Sequence, residues 1–146
     1  MKKILLVLLL LVIISQTTFA HLNNKVDDHA QQAFKNEFAG AANVIWAEAG
    51  DFLKVSFTWA GHQAVAYFNS DAELAGCIRG LFFNQLPLAV MRSVDSNFKN
   101  AVIVEIMEIT NAEGVSYRLV TEYKNKNYKI RLNSFGDILE NQKLKK

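Results

Sequence analysis

Two stretches of the chain repeat the same order of apolar and polar residues at a separation of 64 residues. Tyr67 to Gly76 reads YFNSDAELAG, and Arg131 to Glu140 reads RLNSFGDILE. Before each stretch, apolar residues alternate with polar ones, which is typical of strands with one buried face. The apolar residues of the two stretches also fall on the same alternate positions. Chance rarely gives such a match, because a shift of one residue would expose every buried side chain. The repetition therefore predicts two similar structural units built on antiparallel strands.

An amphipathic helix is predicted at the start of each unit. Apolar residues at helical spacing predict a helix from Val26 to about Ala39, ended by Gly40. A second helix is expected with Pro87 in its first turn, where the missing N–H group of proline costs nothing. The two apolar stripes lie 60 residues apart and consist of Ala30, Phe34 and Phe38, and of Val90, Val94 and Phe98.

Four strands are predicted after each helix. They cover residues 43–48, 52–59, 63–68 and 74–81 in the first unit, and 101–110, 115–123, 127–132 and 137–140 in the second. The residues expected to be buried are Leu53, Val55, Phe57, Trp59, Ala64, Ala66 and Phe68, and Tyr117, Leu119, Thr121, Tyr123, Tyr128, Ile130 and Leu132. Corresponding residues of the two units lie 60 residues apart in the helices and 64 apart in the later strands. Four additional residues are therefore expected in the hairpin near residues 111–114. The pattern predicts an α+β fold of two tandem helix-plus-four-stranded meander units, about residues 26–83 and 84–146, which share a sheet or pack side by side, with helices covering one face.

Residues 1–20 read as a secretory signal peptide. Lys2 and Lys3 precede an apolar run of 11 residues from Ile4 to Ile14, and small or polar residues follow as far as Ala20. A bilayer-spanning helix needs about 20 apolar residues, so cleavage after Ala20 is predicted over the alternative of an uncleaved anchor. We expect a single domain from residue 21 to 146, periplasmic or secreted, with no membrane span after cleavage.

The charge and the cysteine content limit the classes of partner and the role of disulfides. The formal net charge of +2 comes from Lys2 and Lys3, so the chain after cleavage is neutral. Net charge therefore gives no reason to expect a nucleic acid partner. Cys77 is the only cysteine, so no disulfide can form within the chain. Its apolar neighbours predict a buried, inert thiol.

The sequence contains no recognisable catalytic, cofactor-binding or metal-binding motif. We therefore predict a protein that is not an enzyme and uses no cofactor. Glu105 alternates with Val104 and Ile106, the pattern of a solvated strand face. After cleavage, the amine and imidazole of His21 could bind copper together with His62. The competing interpretation is a mobile N-terminal tail and an exposed turn residue at position 62.

The sheet face opposite the helices is the predicted binding surface. Its outward positions include Lys54, Thr58, Tyr67, Arg118, Lys129 and Arg131. The half from the first unit is nearly neutral and carries an aromatic residue, whereas the half from the second unit is basic. Such a face could bind a protein segment, a peptide or an anionic glycan, or it could be only a solvated sheet. A small-molecule carrier with an apolar pocket between helices and sheet is the alternative function.

Several segments together resemble a known family. AFKNEFAGAANVIW, KVSF, AYFNSDAEL and QLPLAV resemble the PepSY-like, β-lactamase-inhibitor-like exported proteins of Bacteroidetes, over nearly all of the chain after residue 20. The resemblance implies a tandem helix-plus-sheet fold, a periplasmic or secreted location and no established enzymatic activity. The first unit departs from the family's Asp-Gly turn with Asp71 and Ala72, whereas the second keeps Gly136. Because Ala tolerates positive φ poorly, the two turns are expected to differ in type.

The run Gly80 to Phe83 lies at the junction between the units. Phe82 and Phe83 are predicted to pack in the core or at the interface between the units, rather than to clamp a ligand.

Overall fold

The computed structural model describes residues 26–145, so the predicted signal peptide and His21 lie outside the described residues. Both predicted helices and all eight predicted strands are present, with ends that differ by a few residues. In chain order the elements are α1 (Asp28–Glu37), β1 (Ala42–Ala49), β2 (Phe52–Trp59), β3 (His62–Phe68), β4 (Leu74–Gly80), α2 (Leu88–Asn97), β5 (Val102–Asn111), β6 (Gly114–Tyr123), β7 (Lys126–Asn133) and β8 (Ile138–Lys143). A single 3₁₀ turn, Phe83–Gln85, precedes α2.

The strands form one eight-stranded antiparallel sheet in the order β1 to β8. Two four-stranded meanders were predicted, either sharing a sheet or packed side by side. In the structure β4 pairs with β5, so the eight strands form one long meander in a shared sheet. The four additional residues lie in the β5–β6 hairpin, as expected, and include Thr110 and Asn111. These two residues pair with Cys77 and Gly76 of β4. The longer hairpin therefore supplies part of the edge that joins the two halves of the sheet.

The first half of the chain, residues 26–83, has an aromatic core under α1. The ring of Phe34 lies 4.9 Å from that of Phe57 and 6.4 Å from that of Phe68, measured between centroids. Val55 and Ala66 are fully buried beside them. Asp27 caps α1 by accepting a hydrogen bond from the His29 N–H at 3.2 Å. The helical stripe and the alternation of β2 and β3 thus meet as predicted.

The second half, residues 84–145, has an aliphatic core under α2. Val90 and Val94 pack with Leu119, Ile130 and Leu132, and all five are buried. Pro87 is the N-cap of α2, one position before the first helical turn in which it was predicted. Of the residues predicted to be buried in this half, Tyr117, Leu119, Thr121, Ile130 and Leu132 are buried, Tyr128 is partly buried and Tyr123 is 39% exposed.

Both helices lie on the same face of the sheet. Helix-covered Phe57 on β2 and Leu132 on β7 belong to one row of directly paired residues that crosses six strands. Residues in one row share a face of the sheet. Within residues 26–145, no helix covers the opposite face, so one complete surface of the sheet is available for contacts.

The turns after β3 and β7 have the same structure. In each, an asparagine, Asn69 or Asn133, takes part in five equivalent hydrogen bonds with the residues two, three and four positions after it. Ala72 has φ of 60° and Gly136 has φ of 87° at the matching position. The expectation that the two turns differ in type is wrong, because the asparagine bonds hold Ala72 in the left-handed region.

Phe82 and Phe83 have different environments, although packing was predicted for both. Phe83 is partly buried against the second core. Phe82 is 66% exposed, and its ring lies 4.8 Å from that of His62. The prediction is confirmed for Phe83 and wrong for Phe82. His62 is partly buried at the start of β3 rather than an exposed turn residue.

Candidate functional site

The six residues predicted to form a binding surface all lie on the sheet face opposite α1 and α2, which we call the open face. Lys54 and Tyr67 are directly paired across β2 and β3, and Arg118 and Arg131 are paired across β6 and β7. Their neighbours along each strand are buried beneath the helices, so these side chains share the outer surface. The full set is Lys54, Thr58, Tyr67, Arg118, Lys129 and Arg131. The set forms two groups separated by β4 and β5.

The centre of the open face is apolar, a feature that the sequence analysis missed. Val65, Ile78 and Ile109 are neighbours on β3, β4 and β5 in one row of the register. Gly76 and Gly80 occupy the other open-face positions of β4, so Ile78 stands alone on its strand. The alternation of side chains along β4 and β5 showed which apolar residues share a face. Their position at the centre of the open face could not be predicted, because it depends on the pairing of β4 with β5.

The second half of the open face carries less positive charge than predicted. The ammonium group of Lys129 lies 2.9 Å from the Glu140 carboxylate, and the Arg118 guanidinium lies 3.9 Å from that of Glu105. The prediction that this half is basic considered only β6 and β7. It is wrong, because acidic side chains of β5 and β8 lie beside the basic ones. Arg131 is exposed and forms no ion pair in the described part of the chain.

Arg118 has unused hydrogen-bonding capacity. Its Nε atom is buried and makes no hydrogen bond to any atom of residues 26–145, while the side chain as a whole is 35% exposed. A buried donor without a partner costs about 1–3 kcal/mol. A ligand oxygen that contacts this guanidinium would therefore meet a group whose hydrogen-bonding capacity the protein uses only in part.

A polar cluster on the helix-covered face lies between the two cores. The Arg79 guanidinium donates to the Glu108 carboxylate at 2.7 Å and lies 5.6 Å from the centre of the Trp59 ring. Tyr117 forms a side-chain hydrogen bond with Glu108, and the pKa of its phenol is raised by burial and then by this carboxylate. Burial also raises the pKa of the Cys77 thiol, against a smaller lowering by Arg79. Both groups are therefore protonated at neutral pH. For Cys77 this agrees with the predicted inert thiol, but the residue is partly buried rather than fully buried as predicted.

Several clefts near the helices open to solvent. One of about 490 Å³ lies between the end of α1 and β1, with Phe34 and Trp46 in its wall. Two of about 320 Å³ each lie at the end of α2, one beside Tyr128 and the other between Val94 and Ile103, and one of about 260 Å³ lies beside Asn69. All but the last exceed about 300 Å³, the lower end of the range for ligand pockets. The small-molecule carrier stays a prediction, because volume alone does not select a ligand.

Residues 26–145 contain no group of three or more His, Cys, Asp or Glu side chains placed to hold a metal ion. The copper hypothesis for His21 concerns a residue outside this range and stays a prediction. Among the same residues, neither helix is long and apolar enough to cross a membrane.

The fold is shared with solved structures of Bacteroides proteins. A protein from Bacteroides eggerthii, provisionally described as periplasmic, has a TM-score of 0.70 and 20% identity, covering 80% of this chain and 88% of that one. A BLIP-like protein from Bacteroides fragilis has a TM-score of 0.70 and 19% identity, with 81% and 86% covered. A DUF2874 family protein from Bacteroides uniformis has a TM-score of 0.70 and 15% identity, with 80% and 88% covered. No protein-family model and no curated protein matches the sequence.

These identities are low, so the likeness establishes the fold and nothing finer. The resemblance drawn from the sequence segments is confirmed at that level. The chain has the α+β fold of the BLIP-like and DUF2874 family proteins of Bacteroides.

Proposed function

We propose that this protein is an exported, non-enzymatic module that binds a segment of another protein on its open face. The observation that carries the proposal is the surface itself. Eight strands present one face without a covering helix in residues 26–145, and its centre is formed by Val65, Ile78 and Ile109. These three side chains are partly exposed, and apolar surface rimmed by polar groups is a common mark of protein interaction sites.

The chemistry of the rim defines the expected partner. Tyr67 lies on one side of the apolar centre, and Arg118 and Arg131 lie on the other. Aromatic and arginine side chains are enriched at interfaces, where they combine apolar contact with hydrogen bonding. A partner segment with an apolar centre and a carboxylate toward β6 and β7 fits this arrangement. The broad, shallow shape suits a protein surface better than a small molecule, which needs a concave pocket.

The same proposal includes location and organisation. A signal peptide at residues 1–20, cleavage after Ala20 and a periplasmic or secreted domain follow from the sequence pattern, with support from the provisionally periplasmic relative in fold. Two tandem units, about residues 26–83 and 84–146, are supported by the equivalent turns at Asn69 and Asn133 and by one helix before each set of four strands.

Site-specific photocrosslinking tests where a partner binds. A photoreactive phenylalanine analogue replaces Tyr67 on the open face or, as the control, Gln32 on the exposed side of α1. Crosslinking in cells that export the protein is expected to give a defined adduct from position 67 and none from position 32. Mass spectrometry of the adduct then identifies the partner and the crosslinked segment.

Titration of the purified partner tests the residues. The double substitution Arg118→Gln with Arg131→Gln is expected to weaken binding by about tenfold or more. Arg92→Gln with Lys99→Gln removes the same charge from exposed positions on and after α2 and should leave the affinity within about twofold. Equal weakening by both pairs, or adducts from position 32 alone, would rule out the open face. Circular dichroism of each variant checks that the fold is intact.

A further inference from the structure

The second half of the chain has a polar cleft at the end of α2, where the first half packs aromatic rings. In the first half, the Phe38 ring lies 4.7 Å from that of Phe57 and 5.5 Å from that of Trp59. The Trp59 ring N–H also donates to the Ala39 carbonyl at 3.1 Å. These contacts fill the space between the end of α1 and the sheet. The matching place in the second half holds the cleft of about 320 Å³ beside Tyr128.

Two smaller side chains account for this cleft. Thr121 stands 64 residues after Phe57, and Tyr123 stands 64 residues after Trp59, at matching places on β6 and β2. Thr121 is 1% exposed and lines the cleft, so the cleft extends to the surface of the sheet. Tyr123 lines it as well and is 39% exposed, whereas Trp59 is partly buried. The larger Tyr128, at the place of an alanine on β3, forms part of the wall and leaves the cleft open.

The lining of the cleft combines neutral polar groups with aromatic rings. Exposed Asn100 and Asn141 line it together with Tyr123 and Tyr128, and Thr121 lies deepest. Amide and hydroxyl groups donate and accept hydrogen bonds, as the hydroxyl groups of a sugar do. Tyrosine rings add apolar contact area for the C–H groups of a sugar ring. The volume lies at the lower end of the range for ligand pockets, so it suits a single ring.

Positive charge surrounds this cleft and is specific to the second half. The lysines are Lys99, Lys124, Lys126 and Lys143, and the matching positions of the first half are Ala39, Ala60, His62 and Arg79. Lys99 lines the cleft, and Lys143 is directly paired with Tyr128, so both stand on the helix side of the sheet. None of the four lysines forms an ion pair within residues 26–145. Asp95 lines the neighbouring cleft with Lys99 without forming one. The charge therefore favours an anionic ligand.

We propose that this cleft binds one unit of an acidic sugar, that is, a sugar ring that carries a carboxylate. The ring contacts Tyr123 and Tyr128, its hydroxyl groups bond to Thr121 and to the two asparagine amides, and its carboxylate lies toward Lys99. Because Lys99 is exposed, salt screens its attraction for the carboxylate and should weaken binding. The cleft lies on the helix side of the sheet, so the proposal does not depend on binding at the open face.

Titration followed by NMR tests the class of ligand. Glucuronate is added to the ¹⁵N-labelled protein at low salt, and saturable shifts are expected at the Ala101 amide and at the side-chain amides of Asn100 and Asn141. Half-saturation is expected below about 10 mM, as for a weak single-ring ligand. Glucose keeps the ring without the charge, and acetate keeps the charge without the ring. Each should bind at least about fivefold more weakly than glucuronate, because it lacks one of the two sets of contacts.

Substitutions in the protein test the location. Thr121→Phe gives the cleft the residue that the first half has at this place, Phe57, and should abolish the saturable shifts. Lys99→Ala keeps the cleft and should weaken glucuronate binding by about threefold. The control Lys35→Ala removes the same charge from an exposed position in the last turn of α1 and should leave binding unchanged.

Four results would overturn the proposal. They are absence of saturable shifts with glucuronate, equal binding of glucose or acetate, unchanged binding by a folded Thr121→Phe variant, and equal effects of Lys99→Ala and Lys35→Ala. Both lysines are exposed, so the last comparison remains decisive even if Thr121→Phe does not fold. The open-face pair Arg118→Gln with Arg131→Gln should leave glucuronate binding unchanged, so this proposal and the proposed function can fail separately.

Discussion

The turns after β3 and β7 share their hydrogen bonds but differ in how closely a helix packs on them. Asn69 and Asn133 hold equivalent networks. In the second turn, a Cβ added to Gly136 would lie 2.5 Å from the Ala89 carbonyl oxygen of α2. In the first turn, Ala72 adopts a similar positive φ beside a cleft of about 260 Å³. The asparagine therefore fixes the backbone shape, and the packing of the helix decides whether glycine is required.

The largest effect is expected from Gly136→Ala. The added methyl group would collide with the α2 backbone at Ala89 and would also impose a left-handed conformation on an L-residue. The free energy of unfolding should fall by about 2–4 kcal/mol, as for other overpacked sites. Urea unfolding followed by circular dichroism measures this loss. A loss below about 1 kcal/mol would show that α2 moves away at little cost, and that the two turns do not differ in packing.

Removing the asparagine should affect both turns alike. Asn69→Ala and Asn133→Ala each delete an acceptor for two backbone N–H groups and a donor to a nearby carboxylate. Each substitution is expected to lower the free energy of unfolding by about 1–2 kcal/mol, because water replaces only part of these bonds. If the two losses of unfolding free energy differ by more than about 1 kcal/mol, which exceeds ordinary scatter, the two turns contribute unequally to stability despite their equivalent hydrogen bonds.

The strands and their buried faces could be predicted because the period of two in each strand identifies the side that meets the core. Val55 and Phe57, and Leu119 in the second half, follow this rule. The pairing of β4 with β5 could not be predicted, since it depends on contacts that local alternation does not encode. The exposure of Phe82 was missed for a related reason, because two adjacent aromatic residues show no period.

The candidate site was predictable to the same extent. Parity placed the side chains of β2, β3, β6 and β7 on the open face, as with Lys54 and Arg131. The ion pair between Lys129 and Glu140 involves neighbouring strands, so its effect on the charge of the surface required the register. The groove at Trp46 could not be predicted at all, because it depends on how α1 ends beside an edge strand.

A smaller effect is expected from the ion pair that links the two halves. Arg79→Ala and Glu108→Ala, made singly and together, should give a coupling energy of about 0.5–1 kcal/mol at low salt, since both side chains keep partial solvent exposure. The pair Lys129 and Glu140 lies within one half, is more exposed, and should couple less strongly. A larger coupling for that pair would contradict a special role for Arg79 and Glu108 in joining the halves.

The smallest effect, and the only stabilising one, is expected from Ala72→Gly. Ala72 has φ of 60°, which costs an L-residue about 1–2 kcal/mol relative to glycine, while glycine adds about 0.5–1 kcal/mol of backbone entropy to the unfolded chain. The net gain in the free energy of unfolding should be about 0.5 kcal/mol, within the range for compatible turn substitutions. Thermal unfolding beside the Gly136→Ala variant measures it under the same conditions. A loss of more than about 1 kcal/mol would exceed the entropic cost of glycine, so the methyl group would have to make contacts across the cleft to α1. The first helix would then support its turn as the second does, and the difference between the two turns would lie in the side chain that fills the gap.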